Sequence, residues 1–143
     1  MRRFAGLTAV AALVAPASAG AALPVKQFVA LAYSPLKVGA VFYGYSNVLP
    51  AAEKAVLTLC QHYEKGCKGA VWVQNGWVAY AAVPGPRGGV GFAYGASSAF
   101  ADSRAMYWCR ATQHTAPYSG PCTIRASVST TPLNTRKMRG GIW

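Results

Sequence analysis

Three carboxylates, Glu53, Glu64 and Asp102, and two histidines, His62 and His114, make up the acid–base inventory of this 143-residue chain. Two carboxyl groups flanking one cleft can hydrolyse a glycosidic bond, one as acid and the other as base or nucleophile. Glu53 and Asp102 stand 49 residues apart, at matching places in a repeat described below, so a pseudo-twofold could bring them together. The catalytic reading is therefore a small hydrolase acting on envelope glycan through Glu53 and Asp102. Against it stands the ordinary role of such acids, solvated near a helix start where a carboxylate suits the helix dipole. His62 follows Cys60 by two residues, and a Cys–His couple can be nucleophilic, but only with a reduced thiol. His114 lies in the loop ATQHTAPYSGP. Neither Ser34 nor Ser46 sits in a G-x-S-x-G elbow, and no P-loop, dinucleotide-binding glycine pattern or H-E-x-x-H occurs. The chain is expected not to be an enzyme, with no catalytic residue and no cofactor.

The N-terminus, MRRFAGLTAVAALVAPASAG, joins Arg2 and Arg3 to an apolar run from Phe4 to Ala15, then Pro16 and an Ala17-Ser18-Ala19 cleavage site. This reads as a secretory signal peptide over 1–19, cut after Ala19, and the run is too short for a membrane anchor. The mature chain is expected to be secreted or periplasmic, without a membrane span. Losing Arg2 and Arg3 leaves 12 basic side chains against 3 acidic ones, a net charge of +9. Such a surface attracts polyanions, although the cations are scattered singly except for Arg136, Lys137 and Arg139. An exported protein rarely meets nucleic acid, so none is expected as partner.

Sliding the chain on itself by 49 residues lays 28–60 over 77–109 without a gap, with nine identities in 33 positions. They are Val29/Val78, Ala30/Ala79, Ala32/Ala81, Pro35/Pro84, Gly39/Gly88, Val41/Val90, Tyr45/Tyr94, Ala52/Ala101 and Cys60/Cys109. This is an internal duplication. Each copy has an apolar run (28–33, 77–83), a turn marked by Pro35 or Pro84-Gly85-Pro86, and a second run of period two. In the second runs, GAVFYGYS and GGVGFAYG, glycines alternate with apolar and aromatic residues, which suggests close approach of another backbone. A helix follows, with Pro50 at its first position in copy one and Ser98 as its N-cap in copy two. Ala52, Val56, Leu59 and Tyr63, then Ala101, Ala105 and Trp108, share a helix face. A closing strand comes last, at 69–74 and 123–130. The expected fold is α+β: a duplicated β-β-α-β unit, antiparallel sheets and one helix per repeat. One unit is too small to bury a core alone, so the two cover each other.

The domain spans 20–130, with repeats 28–75 and 77–130. Four cysteines allow three pairings, and the repeat frame selects Cys60–Cys67 and Cys109–Cys122. Their C-x6-C and C-x12-C spacings lack the C-x2-C of a zinc site, so no metal is expected.

The chain resembles the domain-of-unknown-function 4189 family of small exported bacterial proteins. The resemblance rests on Ala30, Ala32, Tyr33, Ser34 and Pro35; on Gly39 to Ser46; on Ala51, Ala52, Glu53 and Ala55; on Cys60 and Cys67; and on Val71-Trp72-Val73. It covers about 28–130 and implies export and fold, while the family name assigns no activity. A further cysteine that the family often carries is replaced here by Asn75-Gly76-Trp77, so a third bridge is absent.

Binding is the function left. Tyr43, Trp72, Tyr80, Tyr107 and Trp143 are candidate stacking surfaces among lysines and arginines, suited to an envelope component or an acid-rich protein. The tail 131–143, TPLNTRKMRGGIW, has no period and reads as basic and disordered, with Arg136, Lys137 and Arg139 as a site for an anionic partner.

Overall fold

The computed structural model describes residues 27–37, 40–83, 88–113, 120–130 and 137–143. The expected signal peptide, the Pro84-Gly85-Pro86 turn, His114 and Arg136 lie outside them. The described residues form nine elements in order: β1 (Phe28–Tyr33), β2 (Val41–Ser46), α1 (Leu49–Tyr63), β3 (Lys68–Gln74), β4 (Trp77–Ala82), β5 (Val90–Gly95), α2 (Ser98–Gln113), β6 (Thr123–Ser129) and β7 (Arg139–Ile142). The β-β-α-β unit is present twice, with one strand added at the end.

The duplication holds residue by residue. β1 pairs with β2 from Phe28↔Ser46 to Tyr33↔Val41, and β4 with β5 from Trp77↔Gly95 to Ala82↔Val90, so each pair repeats 49 residues on. Even the irregularity recurs. The β1–β3 ladder slips between Leu31 and Ala32, and the β4–β6 ladder between the equivalent Tyr80 and Ala81, passing over Ala70 and Arg125. A bulge of this kind leaves one residue unpaired and sharpens the local twist.

Two antiparallel sheets result, ordered β2-β1-β3-β7 and β5-β4-β6. They pack face to face through Val29, Leu31, Val71 and Val73 from one and Val78, Tyr80 and Ala82 from the other. The opposite sides of the same strands carry the helices. Ala30 and Ala32 meet Ala52, Val56 and Cys60 of α1, while Ala79 and Ala81 meet Ala101, Ala105 and Cys109 of α2. The order of layers is helix, sheet, sheet, helix. Central strands buried on both sides need continuous apolar sequence. That is the reading of FVALAY and WVAYAA.

The alternating glycines now have a cause. On β5, Gly91 and Ala93 face α2, while Val90, Phe92 and Tyr94 border the inter-sheet core. A Cβ at Gly91 would run into the Ala105 carbonyl and the Cys109 amide, and one at Gly44 would press on Val56 and Ala52. Close helix approach also moves the helix stripes by one position from expectation. Ala52, Val56 and Cys60 are buried, whereas Leu59 and Tyr63 are exposed; Cys109 replaces Trp108 in α2. Only small side chains fit beneath helices held this near the sheet. The N-cap of α2 is Ser97, one residue before the expected Ser98: its Oγ accepts the Phe100 amide at 3.2 Å. Glu53 and Asp102 are each the fifth helical residue, just past the first turn.

The tail is corrected in part. Arg139–Ile142, expected to be disordered, pairs antiparallel with β3 from Val71↔Ile142 to Gln74↔Arg139. The Tyr94 ring occupies the space beside Gly140, the Trp72 indole that beside Gly141, and the Trp143 ring lies over Gly69. Aromatics contributed from elsewhere order a glycine pair that has no apolar pattern of its own. Asn75, at φ 56°, and Gly76 carry the chain from one sheet to the other. Asn75 Nδ2 donates to the Lys137 carbonyl at 3.3 Å, and the Gly76 carbonyl accepts the Thr130 amide at 3.0 Å, as the Gln27 carbonyl accepts the Asn75 amide at 3.0 Å in copy one.

Candidate functional site

Glu53 and Asp102 do not meet. Their helices lie on opposite outer faces of the two-sheet sandwich. Stacked sheets are themselves about 10 Å apart, beyond the ~5–9.5 Å that separates paired glycosidase carboxyls, before either helix is added. The hydrolase built on Glu53 and Asp102 is overturned by this layering. Asp102 Oδ1 is buried without a hydrogen-bond partner among the described residues. Glu64 is engaged elsewhere, accepting Lys37 Nζ at 2.7 Å in the one ion pair among the described residues. His62 is exposed and sits edge-on to Tyr63, at 4.8 Å. Its neighbour Cys60 is oxidised.

Both bridges have the expected partners, Cys60–Cys67 and Cys109–Cys122, and no described cysteine is free. Each ties the end of its helix to the entry of its closing strand. Buried Ser34 donates from Oγ to the Lys65 carbonyl at 2.8 Å, which pins the short loop inside the first bridge. In copy two, apolar Val83 fills the equivalent position against Gly120 of the longer loop. The Ser34-Pro35 motif is therefore structural. No group of three or more His, Cys, Asp or Glu is placed to hold a metal among the described residues.

The five candidate rings divide. Tyr80 is core, fully enclosed and 5.9 Å from Tyr33. Trp72 and Trp143 pack around β7 and α1. Tyr43 and Tyr107 are exposed, on different copies. None of these five lines the groove beside α2.

That groove, about 270 Å³, runs along β5 and is lined by Phe92, Ala93, Tyr94, Phe100, Arg104, Trp108, Met138 and Ile142. One wall is the i, i+4, i+8 stripe of α2: Phe100, Arg104 and Trp108, all solvent-facing. The Arg104 guanidinium lies 5.6 Å from the Phe100 ring centroid, in cation–π contact, with no carboxylate on it. The other wall is Met138 and Ile142, the residue before β7 and the last residue of that strand, which lies outside the duplication.

The internal comparison that reveals the repeat also isolates this site. At the positions of Phe100, Arg104 and Trp108, copy one carries Ala51, Ala55 and Leu59. β7 has no counterpart beside β6 among the described residues. Both walls of the groove are departures from the duplication. The stripe was legible as a difference between copies; its second wall was not, since nothing in RGGIW points toward β5. Lys137 and Arg139 are exposed at the start of β7.

Fold and bridges define the class: a disulfide-bonded α+β domain made by duplication of a β-β-α-β unit, with a groove on one copy. The family described as Domain of unknown function (DUF4189) matches residues 28–129, and the chain belongs to it. No curated protein and no solved structure matches. No helix among the described residues is long and apolar enough to cross a membrane. The two disulfides are compatible with an extracellular or periplasmic protein.

Proposed function

We propose that this is an exported, non-catalytic binding domain whose β5 groove takes a negatively charged envelope component or protein. One observation carries the reading: a groove walled by Phe100 and Trp108 holds a cation, Arg104, without a carboxylate partner. Aromatic anchors around a single charged group are the usual build of a recognition surface. The net charge of +9 expected for the mature chain favours an acidic partner over a neutral one. Export rests on the signal-peptide pattern of residues 1–19 and on the two bridges.

The test is affinity capture from envelope extract with the mature chain, R104E and W108A. A partner held by the unaltered chain and released by both variants supports the groove. Equal capture by all three refutes it. N-terminal sequencing of the exported chain should begin at Gly20; a chain kept in the cytoplasm with Met1 intact refutes export.

A second reading, an electrostatic binder of anionic envelope polymer, is favoured by the exposure of Lys137 and Arg139 beside Arg136 in sequence. It predicts retention that falls steeply with salt and drops in K137E/R139E. Those point changes leave β7 present, as deletion of 136–143 would not.

A further inference from the structure

β5 is an edge strand. It pairs with β4 on one side, and no strand lies on its other side among the described residues. The groove lies along that open side: Phe92, Ala93 and Tyr94, consecutive residues whose side chains alternate between the sheet's two faces, all line it. The edge backbone thus forms the floor, with α2 on one flank and β7 on the other. An extended segment laid against it would point alternate side chains at Phe100, Arg104 and Trp108, and the rest at Met138 and Ile142. We infer that the partner enters this groove as an extended peptide segment that adds to β5 as a fourth strand, with apolar side chains on alternate positions and one carboxylate meeting Arg104.

Its surroundings set β5 apart from the edges at β6 and β2. β6 is interrupted by its bulge and displays exposed Arg125 there, devices that blunt an edge against pairing. β2 has a regular ladder, but its flanking helix offers Ala51, Ala55 and Leu59. β5 has an unbroken ladder and both walls; Thr112 Oγ1 holds the outward amide and carbonyl of Val90, which leaves Phe92 and Tyr94 as the edge positions along the groove. The molecule also contains a worked case of the same event. β7, from outside the repeated unit, completes the edge of β3 with backbone pairing from Val71↔Ile142 to Gln74↔Arg139. Strand addition draws affinity from main-chain hydrogen bonds and selectivity from the pockets that receive alternate side chains. A carboxylate opposite Arg104 supplies the charge complement.

This inference rests on the groove reading above, and its test separates the two. A displayed library of random nonapeptides is selected on the mature, oxidised chain. The expected winners alternate apolar residues and carry one acidic residue. The synthetic winner should slow amide exchange at Phe92 and Tyr94, since the alternate amides already face β4 and that of Val90 is held by Thr112 Oγ1, and R104Q should weaken it about tenfold, the loss of one charge-assisted contact. N-methylation of alternate peptide amides should abolish binding in one phase and spare it in the other, because only every second amide faces β5. Binding that tolerates N-methylation in both phases overturns strand addition, as does protection confined to α2 or selection of no peptide at all. Concentration-dependent dimers with the Phe92 and Tyr94 amides protected overturn it in favour of a second copy as occupant. If strand addition fails while envelope capture still depends on Arg104 and Trp108, the groove reading stands alone. If capture ignores both residues, both readings fall.

Discussion

Ser34 shows what a single hydroxyl does in this chain. It is fully buried, and its hydrogen bond to the Lys65 carbonyl holds the loop that the first bridge closes. Ser34→Ala should lower stability by about 1 kcal/mol, the usual net worth of one such bond, read as a shifted urea midpoint with unchanged slope. Tyr45 makes a second residue-scale prediction. Burial raises its phenol above the ordinary tyrosine value, and the neighbouring phenol of Tyr43 adds to this. A raised value means the folded chain holds that proton more tightly than the unfolded one. The associated stability is intact below the unfolded value, about 10, and is lost as pH climbs through the folded one. Denaturant midpoints of the unaltered chain should therefore fall more steeply at alkaline pH than those of Tyr45→Phe. Parallel curves would contradict the burial.

Elements in this fold are placed by what glycine leaves open. Gly91 lets α2 lie against β5, and a side chain there would strike the helix backbone at Ala105 and Cys109. Gly91→Val should cost about 1–3 kcal/mol, the range for overpacking a filled interior, seen as a lower melting temperature. β7 depends on the same device twice, under Tyr94 at Gly140 and Trp72 at Gly141. Gly141→Val should displace the Trp72 indole, release residues 139–142 from β3 and expose their amides to rapid exchange. It should also remove one wall of the groove, so loss of ligand binding would accompany loss of the strand. Retained protection over 139–142 would mean that the indole can move aside without cost.

Across the whole molecule, stability is shared between copies. The inter-sheet core draws Val29, Leu31, Val71 and Val73 from one repeat and Val78, Tyr80 and Ala82 from the other. Separated fragments 27–75 and 77–143 should each fail to unfold cooperatively, and mixing them should restore a single transition. Each bridge closes a short loop, worth roughly 2–3 kcal/mol in the chain-entropy account. A Cys60→Ala/Cys67→Ala variant should lose about that much stability while keeping the registers of both sheets. The groove departs from the symmetry that stability obeys. The groove sits where copy two has Phe100, Arg104 and Trp108 and where an unduplicated strand arrives.

The 49-residue repeat, its period-two runs and the cysteine spacing were enough to read the unit, its duplication and both bridges, because a local pattern written twice confirms itself. Helix faces came out one residue off: a hydrophobic stripe favours the larger Leu59 and Trp108, but close packing on Ala30, Ala32 and Gly91 admits only small side chains. Glu53 and Asp102 are equivalent in sequence, yet equivalence says nothing about which side of a sheet each helix takes, and the layering sets them on opposite faces. The order of β7 was beyond sequence reading, since Gly140 and Gly141 are held by Tyr94 and Trp72, partners far away along the chain. The groove needed all of this at once. Local propensity and repetition determined the parts; the packing of two sheets, and a last strand whose ordering comes from its neighbours, decided where the groove lies.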